Sequence, residues 1–311
     1  MLTAQVEPEG SQERHDYLRT LFQSLWKHQL IGSADLAELV QKSKNRYILG
    51  LVANAIGKSK QPVENASGLL KSIVKSEKAD SSTLADVANA IRESKQPVGD
   101  TSGLLKSIVK SEKVNSSTLA IVADFIGRSK RPIEDVLPIL QSIMDSRKVD
   151  DSGLERVAWA IGLGKVPVEN ASQMLQTVIA SDKADHLALS NTAWAIGVSK
   201  APIENSSQIL QSIVASDKTG GIALAYVALA TVRSKTPIAG SDSLIKKIVQ
   251  ANRVDLQMIH EIIETDTLFS QEEKKEYIGK LENLLISDKS PRSRPKKRSI
   301  DSPPLRRPGS S

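Results

Sequence analysis

The 311-residue chain contains no cysteine, which excludes disulfide staples and thiolate metal sites. Aromatic residues make up only 3% of it, although hydrophobic residues reach 40%. The interior must therefore be built from Leu, Ile, Val and Ala, a composition suited to thin layers of small helices. No apolar run approaches the roughly 18 residues of a membrane span. The N-terminus lacks the basic, apolar and small-residue succession of a secretory signal. The expectation is a soluble chain, cytoplasmic or nuclear, with no membrane partner. Histidine is also scarce: His15, His28, His186 and His260 have no i,i+4 or repeat-related partner, so neither a metal site nor a cofactor is expected. No strand–turn–helix signal marks a nucleophile elbow or a dinucleotide site. Gly57-Lys58-Ser59 ends like a phosphate loop, but Val52 stands where that loop needs glycine. The chain reads as non-catalytic.

One sign of charge is also largely missing from where it would matter. The formal net charge is +6, yet residues 288–311 hold eight Lys/Arg against two Asp/Glu and account for all of it. Residues 47–252 carry a net of only +4, and residues 253–287 a net of −4. That is a faint electrostatic footprint for a nucleic-acid binder, whose affinity usually rests on phosphate neutralisation.

What is present is a repeat. Prolines recur at Pro62, Pro97, Pro132, Pro167, Pro202 and Pro237, always 35 residues apart. A lysine precedes each by two: Lys60, Lys95, Lys130, Lys165, Lys200 and Lys235. Such a fixed period marks a solenoid or array rather than one globular core. Each unit reads as two short helices. Leu84, Val87, Ala88 and Ile91 follow the i, i+3, i+4, i+7 spacing of one helical face. The Ser-Lys-x-Pro turn ends that first helix, because proline cannot continue it. Asn65, Asp100, Asp135, Asn170 and Asn205 then read as N-caps of the second helix, with Gly240 a weaker one. Residues 12–30 suggest an N-terminal capping helix with Tyr17, Leu18, Leu21, Phe22, Leu25 and Trp26. Residues 34–44 suggest another, and residues 255–286 suggest two more. The expected fold is all-α: a right-handed α-solenoid of six 35-residue helix–turn–helix repeats over 47–252. Capping helices flank it at 1–46 and 253–287, and a disordered basic tail follows at 288–311.

Two columns vary on this fixed scaffold. One reads Leu51, Asp86, Ile121, Arg156, Asn191, Tyr226, and the other Asn54, Asn89, Asp124, Trp159, Trp194, Leu229. At 100° per residue both lie roughly 140–160° from the apolar face. Variation of that kind can encode a ligand, as in one-base-per-repeat RNA readers. Equally, that face can meet the adjacent repeat, with Trp159 and Trp194 as inter-repeat core. The six lysines also have two explanations: they could track a phosphate backbone, or each could sit on the carbonyl end of its own helix. In the tail, Arg294, Lys296, Lys297 and Arg298 form a compact basic cluster of the type that binds import receptors or nucleic acid.

Ala188-Leu189-Ser190-Asn191-Thr192-Ala193-Trp194-Ala195-Ile196-Gly197, followed by Ser199-Lys200-Ala201-Pro202, resembles the octotricopeptide repeat; Val157-Ala158-Trp159-Ala160-Ile161 matches in part. The Ser-Lys-x-Pro turn is similar to the SKWP repeats of bacterial effectors injected into plant cells. The resemblance spans residues 47–252 with short motifs. The 35-residue period is shorter than either family's unit, and no repeat has Trp before its Pro. The first family implies paired helices in a superhelix that binds RNA; the second implies action inside a host cell. The expected function is a binding platform for single-stranded RNA, with a protein-binding scaffold, including a secreted effector, as the alternative. No small-molecule cofactor is expected.

The tail makes its own prediction. A reporter fused to residues 288–311 should accumulate in a eukaryotic nucleus and become evenly distributed after Lys296→Ala, Lys297→Ala and Arg298→Ala. An intact fusion that is already evenly distributed by fluorescence microscopy would leave no import signal to remove.

Overall fold

The computed structural model describes residues 12–286 apart from 44, 130–132, 167, 200–201, 235–237, 251–260, 262 and 265–269. All described elements are helices, and no strand occurs among the described residues. Helices α1 (Gln12–Lys27) and α2 (Ser33–Lys42) precede the repeats. The first helices of the successive units are α3 (Arg46–Lys58), α5 (Ser81–Glu93), α7 (Ser116–Arg128), α9 (Asp151–Gly162), α11 (His186–Val198) and α13 (Gly221–Arg233). The second helices are α4 (Ala66–Lys75), α6 (Thr101–Val109), α8 (Val136–Met144), α10 (Val168–Ala180), α12 (Ser206–Ala215) and α14 (Ser241–Gln250). Helix α15 (Gln271–Ile286) follows and packs on α13 and α14. It is the second of the two helices expected over 255–286; the first falls largely outside the described residues, as does the whole 288–311 tail.

Each helix is about two to four turns long and marginal alone in water. Stability comes from two rows, first helix on first helix and second on second, with each pair also packed internally. Leu49, Leu84, Leu119, Leu154, Leu189 and Leu224 are all buried between the rows. Leu70, Ile73, Leu105, Ile108, Leu140 and Leu210 meet them from the second helices and are fully buried. The terminal cap is less closed: Phe22, Leu36 and Leu39 are buried, but Tyr17, expected on the apolar face of α1, is 66% exposed.

The row of first helices is the closer-packed of the two, and small residues make this possible. A Cβ placed on Gly162 would lie 2.7 Å from Ala195 Cα, so no side chain fits between α9 and α11 at that point. Gly57, Gly127 and Gly197 hold the same place in their helices, each against the following first helix.

Four of the residues expected as N-caps of the second helices hold that position, but only one of the four caps with its side chain. Asn65, Asp100, Asp135 and Asn205 adopt left-handed φ of 52°, 52°, 55° and 57°, and only Asp100 accepts a backbone hydrogen bond, from Gly103 N at 3.1 Å. Short polar side chains tolerate this conformation better than others. Gly240, with φ 75°, is therefore suited to the position rather than weak in it. Asn170 lies inside α10, which begins at Val168. Side-chain capping is commoner on the first helices. Asp80 accepts from Thr83 N (2.9 Å), Asn115 from Thr118 N (2.9 Å) and Asp150 from Gly153 N (3.1 Å). Asp185 accepts from Leu187 N and Ala188 N. Each such cap stabilises its helix by about 1 kcal/mol.

A second lysine series, also 35 residues apart, joins the repeats. Lys113 Nζ donates to the carbonyls of Ser76 (2.9 Å) and Glu77 (2.8 Å). Lys148 donates to Glu112, Lys183 to Arg147 (2.9 Å) and Lys218 to Asp182 (2.9 Å). Each ammonium thus sits just past the C-terminus of the preceding second helix, where the helix dipole favours a cation.

Glycine substitutions should separate packing from propensity. Gly162→Ala should destabilise the protein by about 1–3 kcal/mol through overpacking against the α11 backbone. Gly279→Ala, where a Cβ meets nothing within 4 Å, should stabilise α15 by up to about 1 kcal/mol. Urea-denaturation midpoints followed by circular dichroism would test both signs.

Candidate binding surface

The two variable columns lie along the seam where each first helix meets the next. Asn54, Asn89, Asp124 and Trp159 are half-buried there, as are Asp86, Ile121, Arg156, Asn191 and Tyr226. The second column of one helix reaches the first column of the following helix. Asn54 Nδ2 donates to Asp86 Oδ1 at 3.1 Å and to the Gly50 carbonyl at 3.2 Å. Asp124 Oδ1 meets Arg156 Nη1 at 3.5 Å across the same offset. Trp159 and Trp194 stack nearly parallel, with ring centroids 6.4 Å apart and planes 13° off.

This pairing corrects part of the expected site. Leu51, Trp194 and Leu229 are 5%, 8% and 1% exposed, so they pack the interior and present no surface to a ligand. The angular estimate holds for an isolated helix. In the row, the side opposite the first apolar face becomes a second packing face, and only its outer margin stays in water.

Asp124 is the centre of the largest charged cluster. Arg128 Nε lies 3.0 Å from both carboxylate oxygens, Arg156 at 3.5 Å and Arg92 at 3.7 Å. Glu93 and Glu155 stand 3.7 Å and 3.8 Å from Arg92 and Arg156, so three guanidinium groups face three carboxylates. The Arg128 guanidinium carbon is also 5.0 Å from the Trp159 ring centroid, a cation–π arrangement. Arg92 and Arg128 lie outside both columns. Only the four-residue spacing of Asp124 and Arg128 hinted at such a pair.

Asp86 is the one carboxylate here whose titration is displaced far from its usual value. Burial pushes its pKa up from 3.8 to about 6, against the opposing pull of the Asn54 hydrogen bond and the Arg19 and Lys58 charges. Gly50 makes room for it, since a Cβ there would collide with the Asp86 carboxylate.

The six lysines before the prolines do not behave alike. Lys60 and Lys95 are exposed. Lys165 is half-buried and donates to the Ser129 carbonyl at 2.6 Å, on the helix of the preceding repeat rather than on its own. Lys130, Lys200 and Lys235 lie outside the described residues, as do Arg294, Lys296, Lys297 and Arg298.

Toward the C-terminal half the outer margin turns apolar. Leu187 and Ile222 occupy equivalent places on α11 and α13 and are 41% and 43% exposed. The same place holds half-buried Tyr47 in the first repeat and Ser82, Ser117 and Ser152, all exposed, in the next three. Tyr226 follows one turn after Ile222. No group of three or more metal-ligating side chains comes together among the described residues. No described helix is long and apolar enough to cross a membrane. No protein-family model matches the chain, and no curated protein or solved structure matches it.

Asp86 predicts a pH dependence of definite sign. Below its ordinary pKa of 3.8 the group is protonated in both folded and unfolded chains. As pH rises, the unfolded chain releases the proton first, so stability falls until the folded-state value of about 6 is passed, and then stays lower. Asp86→Asn should remove that component. The variant should match the parent near pH 4 and be the more stable of the two near pH 8. Thermal melts of both proteins across that range are the check, and parallel curves would mean that Asp86 titrates normally.

Proposed function

We propose that the protein is a non-catalytic binding platform. Six 35-residue repeats wind as a right-handed solenoid, capped by flanking segments, and the ligand lies along the outer margin of the first-helix row. A partner protein is the ligand the geometry supports best. The carrying observation is the exposed apolar pair Leu187 and Ile222 on consecutive first helices, with Tyr226 beside it. Helices packed at about 8–10 Å would offer these as successive anchor points to a segment with apolar side chains at matching spacing. The small net charge of the repeats, +4 over 47–252, suits such a partner. Asp124, a side chain suited to reading bases, is engaged instead with Arg92 and Arg156 of the neighbouring repeats and with Arg128 of its own helix.

Single-stranded RNA is the second reading, favoured by Arg128 over Trp159 with Arg156 close by, and by exposed Lys60 and Lys95. Trp159 and Arg128 would then stack on bases while the lysines meet phosphates. Trp194 and Leu229 would take no part. Entry into a nucleus through the tail, including a host-cell nucleus after secretion, is a separate proposal that the reporter fusion tests.

The two ligands separate experimentally. A random peptide library and a random RNA pool would be selected against the chain carrying the three tail substitutions. Peptides with apolar anchors should be enriched, and the Leu187→Ser, Ile222→Ser double variant should bind them at least about tenfold more weakly, as loss of a hot spot does. Enrichment of RNA at low salt, lost with Arg128→Ala and indifferent to the double variant, would overturn the protein assignment in favour of RNA.

A further inference from the structure

A cavity of about 1040 Å³ opens at the N-terminal end of the first-helix row. It is bounded by α1, by the chain from Gln29 to Ser33, by the end of α3 with its Ser59–Pro62 turn, and by Asp86 of α5. It lies at the opposite end of the repeats from Leu187 and Ile222 and does not depend on the protein-partner proposal. Four cations line it, Arg19, Lys27, Lys58 and Lys60, against the single carboxylate of Asp86. Trp26, half-buried, supplies an aromatic wall, and no other tryptophan lies near this end. The floor is the Asn54–Asp86 pair, in which Asn54 uses its amide nitrogen on Asp86 and Gly50. Asn54 Oδ1 receives no donor among the described residues.

We propose that this cavity binds a nucleoside phosphate, with the phosphate among Arg19, Lys58 and Lys60, the base against Trp26, and the base edge on Asn54 and Asp86. The excess of cations selects an anion, because cations that line a concave wall raise its local concentration. The half-buried indole selects a flat ring, which stacks with little regard to its substituents. The Asn54–Asp86 floor then distinguishes rings whose edge carries hydrogen-bond donors and acceptors from rings that carry none. A nucleoside phosphate meets all three requirements. The phenyl ring of a phosphotyrosine meets two, and inorganic phosphate one. The volume is sufficient, since pockets for ligands of this size span about 300–1000 Å³. A free mononucleotide and the phosphorylated end of a nucleic-acid strand share this chemistry.

Isothermal titration calorimetry on the full-length protein tests the assignment. AMP and UMP should bind, whereas adenosine and O-phosphotyrosine, each lacking one of the three contacts, and inorganic phosphate, lacking two, should each bind at least about tenfold more weakly. The Lys58→Ala, Lys60→Ala double variant changes only exposed side chains and should melt like the parent. It should weaken nucleotide binding about tenfold and flatten its salt dependence. Trp26→Leu should weaken it to a similar degree, with its fold checked by circular dichroism. A trinucleotide bearing a 5′-phosphate, compared with its 5′-hydroxyl form, identifies the source. Tight binding of mononucleotides alone means a free ligand, and equal binding of the phosphorylated strand means a strand end. The proposal is overturned by absence of nucleotide binding at millimolar concentration. It is equally overturned by phosphate or phosphotyrosine binding as well as AMP, or by an affinity unchanged in the lysine double variant.

Discussion

The close approach of consecutive first helices is the constraint on which the rest of this structure depends. Helices of 9–16 residues have too little cooperative length to persist alone. They become stable by burying two faces at once, one against the paired helix and one against the equivalent helix of the next repeat. The second burial requires backbones to come within reach of one another, which the glycines at 57, 127, 162 and 197 and the alanines opposite them permit. Two of these glycines also make room for aromatic rings, since a Cβ on Gly127 or Gly162 would collide with Trp159 or Trp194. Stability in such an array is a sum over neighbouring interfaces rather than the property of one central core.

That constraint also changes the meaning of sequence variation. A position that differs in every repeat suggests a ligand code when the scaffold is considered one repeat at a time. In the stacked row, Asn54 faces Asp86, Asp124 faces Arg156, and Trp159 faces Trp194. Each pair is amide with carboxylate, carboxylate with guanidinium, or ring with ring. At these three interfaces the variation therefore follows the partner in the next repeat. What remains for a ligand is the outer margin, which runs from serines in the second to fourth repeats to Leu187 and Ile222 in the later ones. The cationic cavity at the other end gives the platform two chemically distinct termini.

The two lysine series show that charges at one spacing can differ in how far they are engaged. Lys113, Lys148, Lys183 and Lys218 are engaged by carbonyls of the preceding repeat, so they act as exposed staples between second helices. In the series before the prolines Lys60 is exposed, whereas Lys165 donates to the Ser129 carbonyl of the preceding repeat. A count of charge alone treats these groups as equivalent, which overstates the cationic surface open to a phosphate backbone.

The period, the helical pairing and the buried leucine column were legible in the sequence, because they depend on local spacing and on proline's inability to continue a helix. The expected side-chain capping holds at Asp100, whereas Asn65, Asp135 and Asn205 serve a left-handed turn without it, since Asn and Asp favour both situations and spacing alone does not separate them. The capping role of Asp80, Asn115, Asp150 and Asp185 and the staples of the second lysine series went unread, although both recur every 35 residues. Their partners lie on backbone groups that a sequence does not display. The sequence by itself determined that the chain forms short amphipathic helices in tandem. Only the tertiary structure decided which side of each helix stays in water. Trp194 and Leu229 are buried while Leu187 and Ile222 are exposed, because the depth of a side chain is set by the neighbouring helix it packs against and not by its angle on its own.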